Sequence, residues 1–277
     1  MNRDQPTEKL QKVLADQGLG SRREMERWIT AGRVQVNGQP ASLGQRVGPE
    51  DRIRVDGRPL KASGASHTRV LLYNKPMGEI CTRKDPEGRP TVFDRLPESG
   101  RGRWISIGRL DIATSGLLLL TNDGELANRM MHPSTGLDRE YAVRVNGRLS
   151  EDQRERLLTG IVDEGEKLAF SDIRYYDGRG TNHWYHVVLV EGKNREIRRL
   201  FESCGFLVSR LKRVRFGPVV LPSRLARGRC EFLSDEDLRR LYSLLKLPPP
   251  VSRQKERRGR GRARKSSVLI PYPEVRL

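Results

Sequence analysis

The stretch GRLDIATSGLLLLTNDG, residues 108–124, decides how the rest of the chain is read. Just before it, Ile105 and Ile107 alternate as one buried face of a short strand. After it begins, Leu117 to Leu120 form an apolar run that reads as a strand covered on both sides. Asp111 falls between the two, so a carboxylate is expected on a short loop held by a rigid frame. Many loop aspartates only bond their own backbone in a turn. The other reading is a carboxylate displayed for chemistry, and the rest of the chain bears on that choice.

At 277 residues the chain is long enough for one large or two smaller domains, and 35% hydrophobic residues suffice to build their cores. Its 53 basic side chains against 35 acidic ones leave a net charge of +18, so the expected partner is a polyanion, nucleic acid above all. A membrane surface would attract the same charge, but apolar runs such as Leu117 to Leu120 are far too short to span a bilayer. The N-terminal MNRDQPTEKL has no apolar signal core, and the protein is expected in the cytoplasm. Cys81, Cys204 and Cys230 are odd in number and far apart, which supports neither a disulfide framework nor a thiolate zinc site. His183 and His186 sit in the strand-like NHWYHVVLV, where their odd separation sends them to opposite faces, so no metal site is expected. Neither a G-x-x-x-x-G-K-[ST] phosphate loop nor a G-x-G-x-x-G fingerprint occurs.

Residues 1–63 read as a compact basic module. Leu10, Val13 and Leu14 at helical spacing before Gly18 predict one helix. Ser21 and Glu24 form an S-x-x-E capping box that opens a second, with Met25, Trp28 and Ile29 on its apolar face and Arg22, Arg23 and Arg27 left outside. Val34 and Val36 alternate before Asn37-Gly38, a hairpin signal. The polar KASGASHT, 61–68, marks a linker, which is placed at residues 64–69.

A second domain, 70–251, opens with the strand RVLLYNKP and continues through a long turn-rich loop, Gly78 to Arg103, of a kind that is functional or covering. ELANRMMHP predicts a helix stopped by Pro133. REYAVRV predicts a strand with Tyr141, Val143 and Val145 on one face, and Ser150 with Gln153 caps another helix. In EGKNREIRRLFESCG a helix capped by Asn194 is expected, with Ile197, Leu200, Phe201 and Cys204 on one stripe and Arg195, Arg198 and Arg199 on another. Like charges at that spacing repel, so either the stripe is a solvated face or anions meet it. VSRLKRVRFGPV alternates as a further strand. Residues 252–277 are expected to be a basic, disordered tail, since 252–265 hold eight basic and one acidic side chain and almost nothing apolar.

Three motifs now stand in order: G-R-L-D-x-x-T-S-G-L at 108–117, R-E-Y-A-V at 139–143 and K-N-R-x-I-R-R at 193–199. Together they closely resemble the motifs of the pseudouridine synthases that act on small-subunit and large-subunit rRNA, and the N-terminal module resembles an S4 RNA-binding domain. The resemblance implies an α+β fold: a small S4 domain of two helices plus a small sheet, then a catalytic domain with a mixed, mainly antiparallel sheet. It also implies an RNA-modifying isomerase that breaks the N1–C1′ bond of a uridine, turns the uracil and rejoins it through C5, with no cofactor.

Residue by residue, the resemblance makes Asp111 the essential carboxylate, acting as nucleophile or as base. Tyr141 would stack on the uracil and assist proton transfer, although a strand tyrosine of this kind is otherwise simply half-buried. Arg198 would face Asp111 and hold it ionised through its planar fork. Arg109 would fill the gap, or hold the phosphate, left when the nucleotide flips out. Leu211 would line the uridine pocket, Arg195 and Arg199 would meet the substrate, and Arg22, Arg23 and Arg27 would grip RNA from the S4 domain.

The flanking CTRKDPEGRPTVFDRLP and NDGELANRMMHPS resemble the large-subunit branch, which implies 23S rRNA or a large-subunit precursor as partner, a site near the peptidyl-transferase centre, and a monomeric enzyme. The alternatives are a sister synthase acting on 16S rRNA or another 23S site, and a non-catalytic S4-type assembly factor. A glycosidase would need a second carboxylate flanking its bond, and the nearest, Asp123 and Glu125, fall in a turn beyond the apolar run.

Overall fold

Leu117 to Leu120 are all fully buried, and they divide by parity: Leu118 and Leu120 enter one core, Leu117 and Leu119 another. That is the behaviour of a central strand packed on both faces. In the computed structural model, which describes residues 7–60, 67–100, 102–250 and 267–273, this strand, Ser115–Thr121, belongs to a nine-stranded sheet. Across the sheet the order is Asp172–Arg179, Asn182–Leu189, Arg139–Val145, Val208–Phe216, Ser115–Thr121, Val70–Lys75 and Cys230–Phe232. Ile105–Ile107 pairs with Ser115–Thr121, and Val219–Val220 with Val208–Phe216. Among the described residues, the pairings of this sheet are antiparallel except where Val208–Phe216 runs parallel to Ser115–Thr121 through Lys212↔Ser115 and Arg213↔Gly116. The sheet is mixed and mainly antiparallel, as expected.

One face of the sheet carries Tyr141, Val143 and Leu211 under Leu157, Ile197 and Phe201 of the helices Glu151–Thr159 and Glu196–Glu202. The other packs Leu72, Leu117 and Leu119 against Leu126 and Met130 of helix Gly124–Met131 and Leu238 and Leu241 of helix Asp235–Leu244. Ahead of this domain, the helices Leu10–Asp16 and Arg22–Thr30 bury Leu10, Leu14, Met25 and Ile29 against Val34, Val36, Val47 and Ile53 of a small sheet. The Ser21–Glu24 capping box forms as read, and so does the hairpin turn, where Asn37 and Gly38 both take the positive φ that its handedness demands.

Two expectations need correction. Asn194 does not cap the helix Glu196–Glu202. Arg195 stands at that position in a left-handed conformation (φ 49°), so Asn194 lies one residue too early, and the Glu196 carboxylate instead accepts the Lys193 N–H at 3.0 Å. The basic tail also does not run free to residue 277. Residues 252–266 and 274–277 lie outside the described residues, but 267–273 pack on the second domain. There the Val220 and Ile270 N–H groups donate to the carbonyls of Val268 and Pro218, and the Tyr272 hydroxyl donates to Asp138 at 2.7 Å. The apolar Val268 and Leu269 give this stretch something to bury, which the arginine-rich part lacks. Of the linker, 64–66 are outside the described residues, while His67 and Arg69 are already bonded to Asn122 of the second domain.

The parallel pairing is tight at Gly116. Its φ is +102°, and a Cβ placed there would lie 2.2 Å from the Arg213 carbonyl oxygen and 2.8 Å from the Arg213 nitrogen. Both atoms are backbone, so neither can swing aside. Gly116→Ala should therefore lose on the order of 3 kcal/mol of stability, read as a lowered urea midpoint. A parental midpoint would show that the two strands separate without penalty.

Candidate active site

The loop that carries Asp111 is moulded around one buried cation. Lys75 ends the strand Val70–Lys75, is 0% exposed, and donates from Nζ to the carbonyls of Pro76 (3.1 Å), Asp111 (3.1 Å) and Thr114 (2.9 Å). An ammonium has three N–H bonds, and here each finds an acceptor. Burial pushes the Lys75 pKa down, while Cys81, Glu79 and Asp111 draw it back up. The Thr114 N–H donates to the Asp111 carbonyl, and the Gly78 N–H ties Ile112 to the strand end. With its carbonyl turned inward, Asp111 is an exposed residue, and its carboxylate has no hydrogen-bond or ion-pair partner among the described residues.

That carboxylate borders a cavity of about 750 Å³, whose lining includes Arg109, Tyr141, Arg195, Arg198 and Leu211. Six of the predicted site residues, Asp111 among them, thus meet in one place. Tyr141 and Leu211 share a sheet face because their strands are neighbours, with Val143↔Leu211 and Tyr141↔Arg213 as cross-strand pairs. Arg109 is exposed at the rim, and the Arg195 side chain is also largely exposed.

The expected fork between Arg198 and Asp111 is not closed. Arg198 Nη1 donates to the Val208 carbonyl at 2.8 Å, and no ion pair joins Arg198 to Asp111 among the described residues. The two still feel each other across the cavity: burial and then Arg195 push the Arg198 guanidinium down, and Asp111 raises it. Arg199 corrects the reading of the helix stripe more sharply. It does not line the cavity; its guanidinium, 14% exposed, binds Asp163 and Glu166, the latter at 2.8 Å, on the hairpin of Ile161–Asp163 and Glu166–Leu168. Those carboxylates, Glu166 first, raise its pKa. The anion expected to meet this arginine comes from the protein itself.

Three cavity groups were not singled out from the sequence: Lys75 beneath the loop, and Arg139 and Arg213 in the cavity lining. Parity would have found Arg213, which lies two residues along the strand from the inward-facing Leu211. Elsewhere, Arg22, Arg23 and Arg27 are exposed on helix Arg22–Thr30, and Arg22 borders a smaller hollow with Lys12 and Arg46. His186 bonds Glu140 at 2.7 Å, and His183 approaches the Tyr175 hydroxyl. Among the described residues, no group of three His, Cys, Asp or Glu is placed to hold a metal, and no helix is long and apolar enough to cross a membrane.

Comparison with known proteins gives the family. The family model for RNA pseudouridylate synthase matches residues 69–203, and that for the S4 domain matches residues 8–53. A protein of Pseudomonas aeruginosa named ribosomal large subunit pseudouridine synthase B is 59% identical over 245 residues, covering 87% of this chain and 64% of its own length. The protein of the same name from Salmonella typhi is 54% identical over 250 residues, covering 89% of this chain and 86% of its own. A crystal structure of a pseudouridylate synthase, 26% identical, superposes with a TM-score of 0.59 over 84% of this chain and 99% of that one. The chain belongs to the RNA pseudouridylate synthase family, in a form that carries an S4 domain, and is an isomerase.

Lys75→Met would remove the donor from three carbonyls while keeping most of the volume. Stability should fall by about 3 kcal/mol or more, and single-turnover pseudouridine formation by about 10²-fold through displacement of Asp111. A parental rate at a lowered melting temperature would show that the loop holds its shape without this cation.

Proposed function

We propose that the protein converts a particular uridine of 23S rRNA to pseudouridine, with Asp111 as the group that acts on the sugar. The observation that carries this reading is a carboxylate without a partner among the described residues, standing over a cavity lined by arginine and tyrosine side chains and large enough for a nucleotide. The relatives' names point to the large subunit, and the surplus of basic side chains suits a polyanionic substrate. Tyr141 lies against the uracil, Leu211 bounds its pocket, and Arg109 and Arg195 at the rim meet the phosphates of the flipped nucleotide. Arg198 is the cation that keeps Asp111 ionised once the nucleotide shuts out water. Isomerisation changes neither oxidation state nor composition, so in this reading the enzyme needs no cofactor. It acts as a monomer in the cytoplasm, docked to the RNA through Arg22, Arg23 and Arg27 of the S4 domain.

Asp111→Asn tests the reading directly. Because the carboxylate has no partner to lose among the described residues, the variant should melt near the parent temperature and bind a 23S fragment within about twofold of the parent, since attraction to phosphates does not need an acidic residue. It should form no pseudouridine. Modification by this variant at a near-parental rate would remove the carboxylate from the chemistry. Arg198→Lys keeps the charge and loses the planar fork, so the single-turnover rate should fall by about 10²-fold. A near-normal rate would mean that another cation serves Asp111.

A further inference from the structure

Arg213 is a buried cation in the cavity lining that touches no carboxylate among the described residues. Arg213 is 2% exposed, and among the described residues its guanidinium makes one hydrogen bond, from Nε to the Leu117 carbonyl at 2.7 Å. Nη2 is buried with no hydrogen-bond partner among the described residues. No carboxylate forms an ion pair with it among the described residues. Arg139, also in the cavity lining, sits on the same Phe216 ring, with the two guanidinium carbons 4.8 Å (Arg139) and 5.2 Å (Arg213) from its centroid. Two cations thus share one ring. A buried guanidinium without a counter-charge is unfavourable enough that a methionine of similar length would serve packing better. The arrangement makes sense if an acceptor arrives with the ligand.

Position decides which part of the ligand that is. Arg213 lies directly opposite Tyr141 across the strand pair and two residues from Leu211, all three on the face that floors the cavity. The exposed arginines, Arg109 and Arg195, stand at the rim, where a phosphate backbone would pass. At the depth of Arg213 the reachable acceptors are the carbonyl oxygens of the base.

We propose that Arg213 hydrogen-bonds the uracil carbonyls and takes up the negative charge that forms on the ring as the glycosidic bond breaks. This rests on the uridine-isomerase reading above. When C1′–N1 breaks, its electron pair stays with the ring and spreads over N1, O2 and O4. C1′ is meanwhile bonded by an Asp111 oxygen, or its neighbour C2′ gives a proton to Asp111. After the ring turns, C5 bonds C1′ and either the Asp111 oxygen leaves or the proton returns to C2′. C5 then loses its proton and N1 gains one, so atoms and electrons balance with no other reactant. In both routes the ring is anionic midway, and a fixed guanidinium binds that anion more strongly than neutral uracil. Arg213 therefore acts in the same way whichever role Asp111 plays.

The test compares Arg213→Met and Arg213→Lys with the parent in single-turnover assays, on a 23S fragment carrying uridine or 5-fluorouridine at the target. Arg213→Met should react about 10²–10³-fold more slowly on uridine, with unchanged RNA affinity and a melting temperature equal to or above the parent's. Arg213→Lys should recover part of the rate. The fluorinated ring carries negative charge more readily, so loss of the N1-linked nucleoside should be slowed less by either substitution. A parental rate for Arg213→Met overturns the proposal, as does equal slowing on both substrates. If Arg213→Met fails to fold, the Arg213→Lys comparison on the two rings decides alone. A parent protein that forms no pseudouridine in 23S RNA would instead count against the choice of substrate.

Discussion

The bonds of the Lys75 ammonium to three backbone carbonyls are what the Asp111 loop depends on. A charge withdrawn from water is tolerated only when its donors are all met. The carbonyls that meet these belong to Asp111 and Thr114 of the loop between Ile107 and Ser115, and to Pro76 just past the strand Val70–Lys75. Turning those carbonyls inward fixes the backbone direction, and an outward side chain at Asp111 follows. The Asp111 carboxylate is positioned by its own main chain, with no side-chain bond holding it among the described residues.

Around that loop the protein sorts its many cations by the company they keep. Arg199 is neutralised by a hairpin of acidic residues and braces the helix Glu196–Glu202 from outside. One residue earlier, Arg198 bonds a backbone carbonyl and, among the described residues, no carboxylate, so it keeps its charge for the cavity. Arg215, on the strand that also bears Leu211 and Arg213, is bound by Asp138 and Glu140 on the opposite sheet face. Strand parity thus sends Arg213 to the cavity and, past the irregular pairing near Tyr141, leaves Arg215 to a structural network. Within the second domain, a positive charge that looks uniform in composition is thus divided between arginines tied to carboxylates and arginines that line the cavity.

Much of this was legible in the sequence because its cause is local. The capping boxes at Ser21 and Ser150, the alternation of Tyr141, Val143 and Val145, and the two-sided burial of Leu117 to Leu120 all follow from spacing within a few residues. What stayed hidden depends on partners far along the chain or on atoms every residue has. Lys75 looked like the polar end of an apolar strand, since its acceptors are main-chain carbonyls and carry no side-chain signature. Arg199 looked like its neighbours because Asp163 and Glu166 lie some thirty residues away. Residues 267–273 were grouped with the arginine-rich stretch before them, although their own apolar side chains reach a surface formed by Val219 and Val220.

The parallel seam between Ser115–Thr121 and Val208–Phe216 also governs when the molecule becomes complete. Across it, Ser115 bonds the Leu211 carbonyl and Arg213 bonds the Leu117 carbonyl, each bond spanning 96 residues of chain. Contacts of such separation form late, both in refolding and during synthesis from the N-terminus. The S4 helices and their small sheet need only the first sixty or so residues, so they are whole while the ribosome is still making the rest. A nascent chain therefore has its S4 domain early and its Asp111 carboxylate soon after, yet has no cavity floor until Phe216 has left the tunnel. For much of its own synthesis, the chain carries one finished domain beside an unfinished cavity.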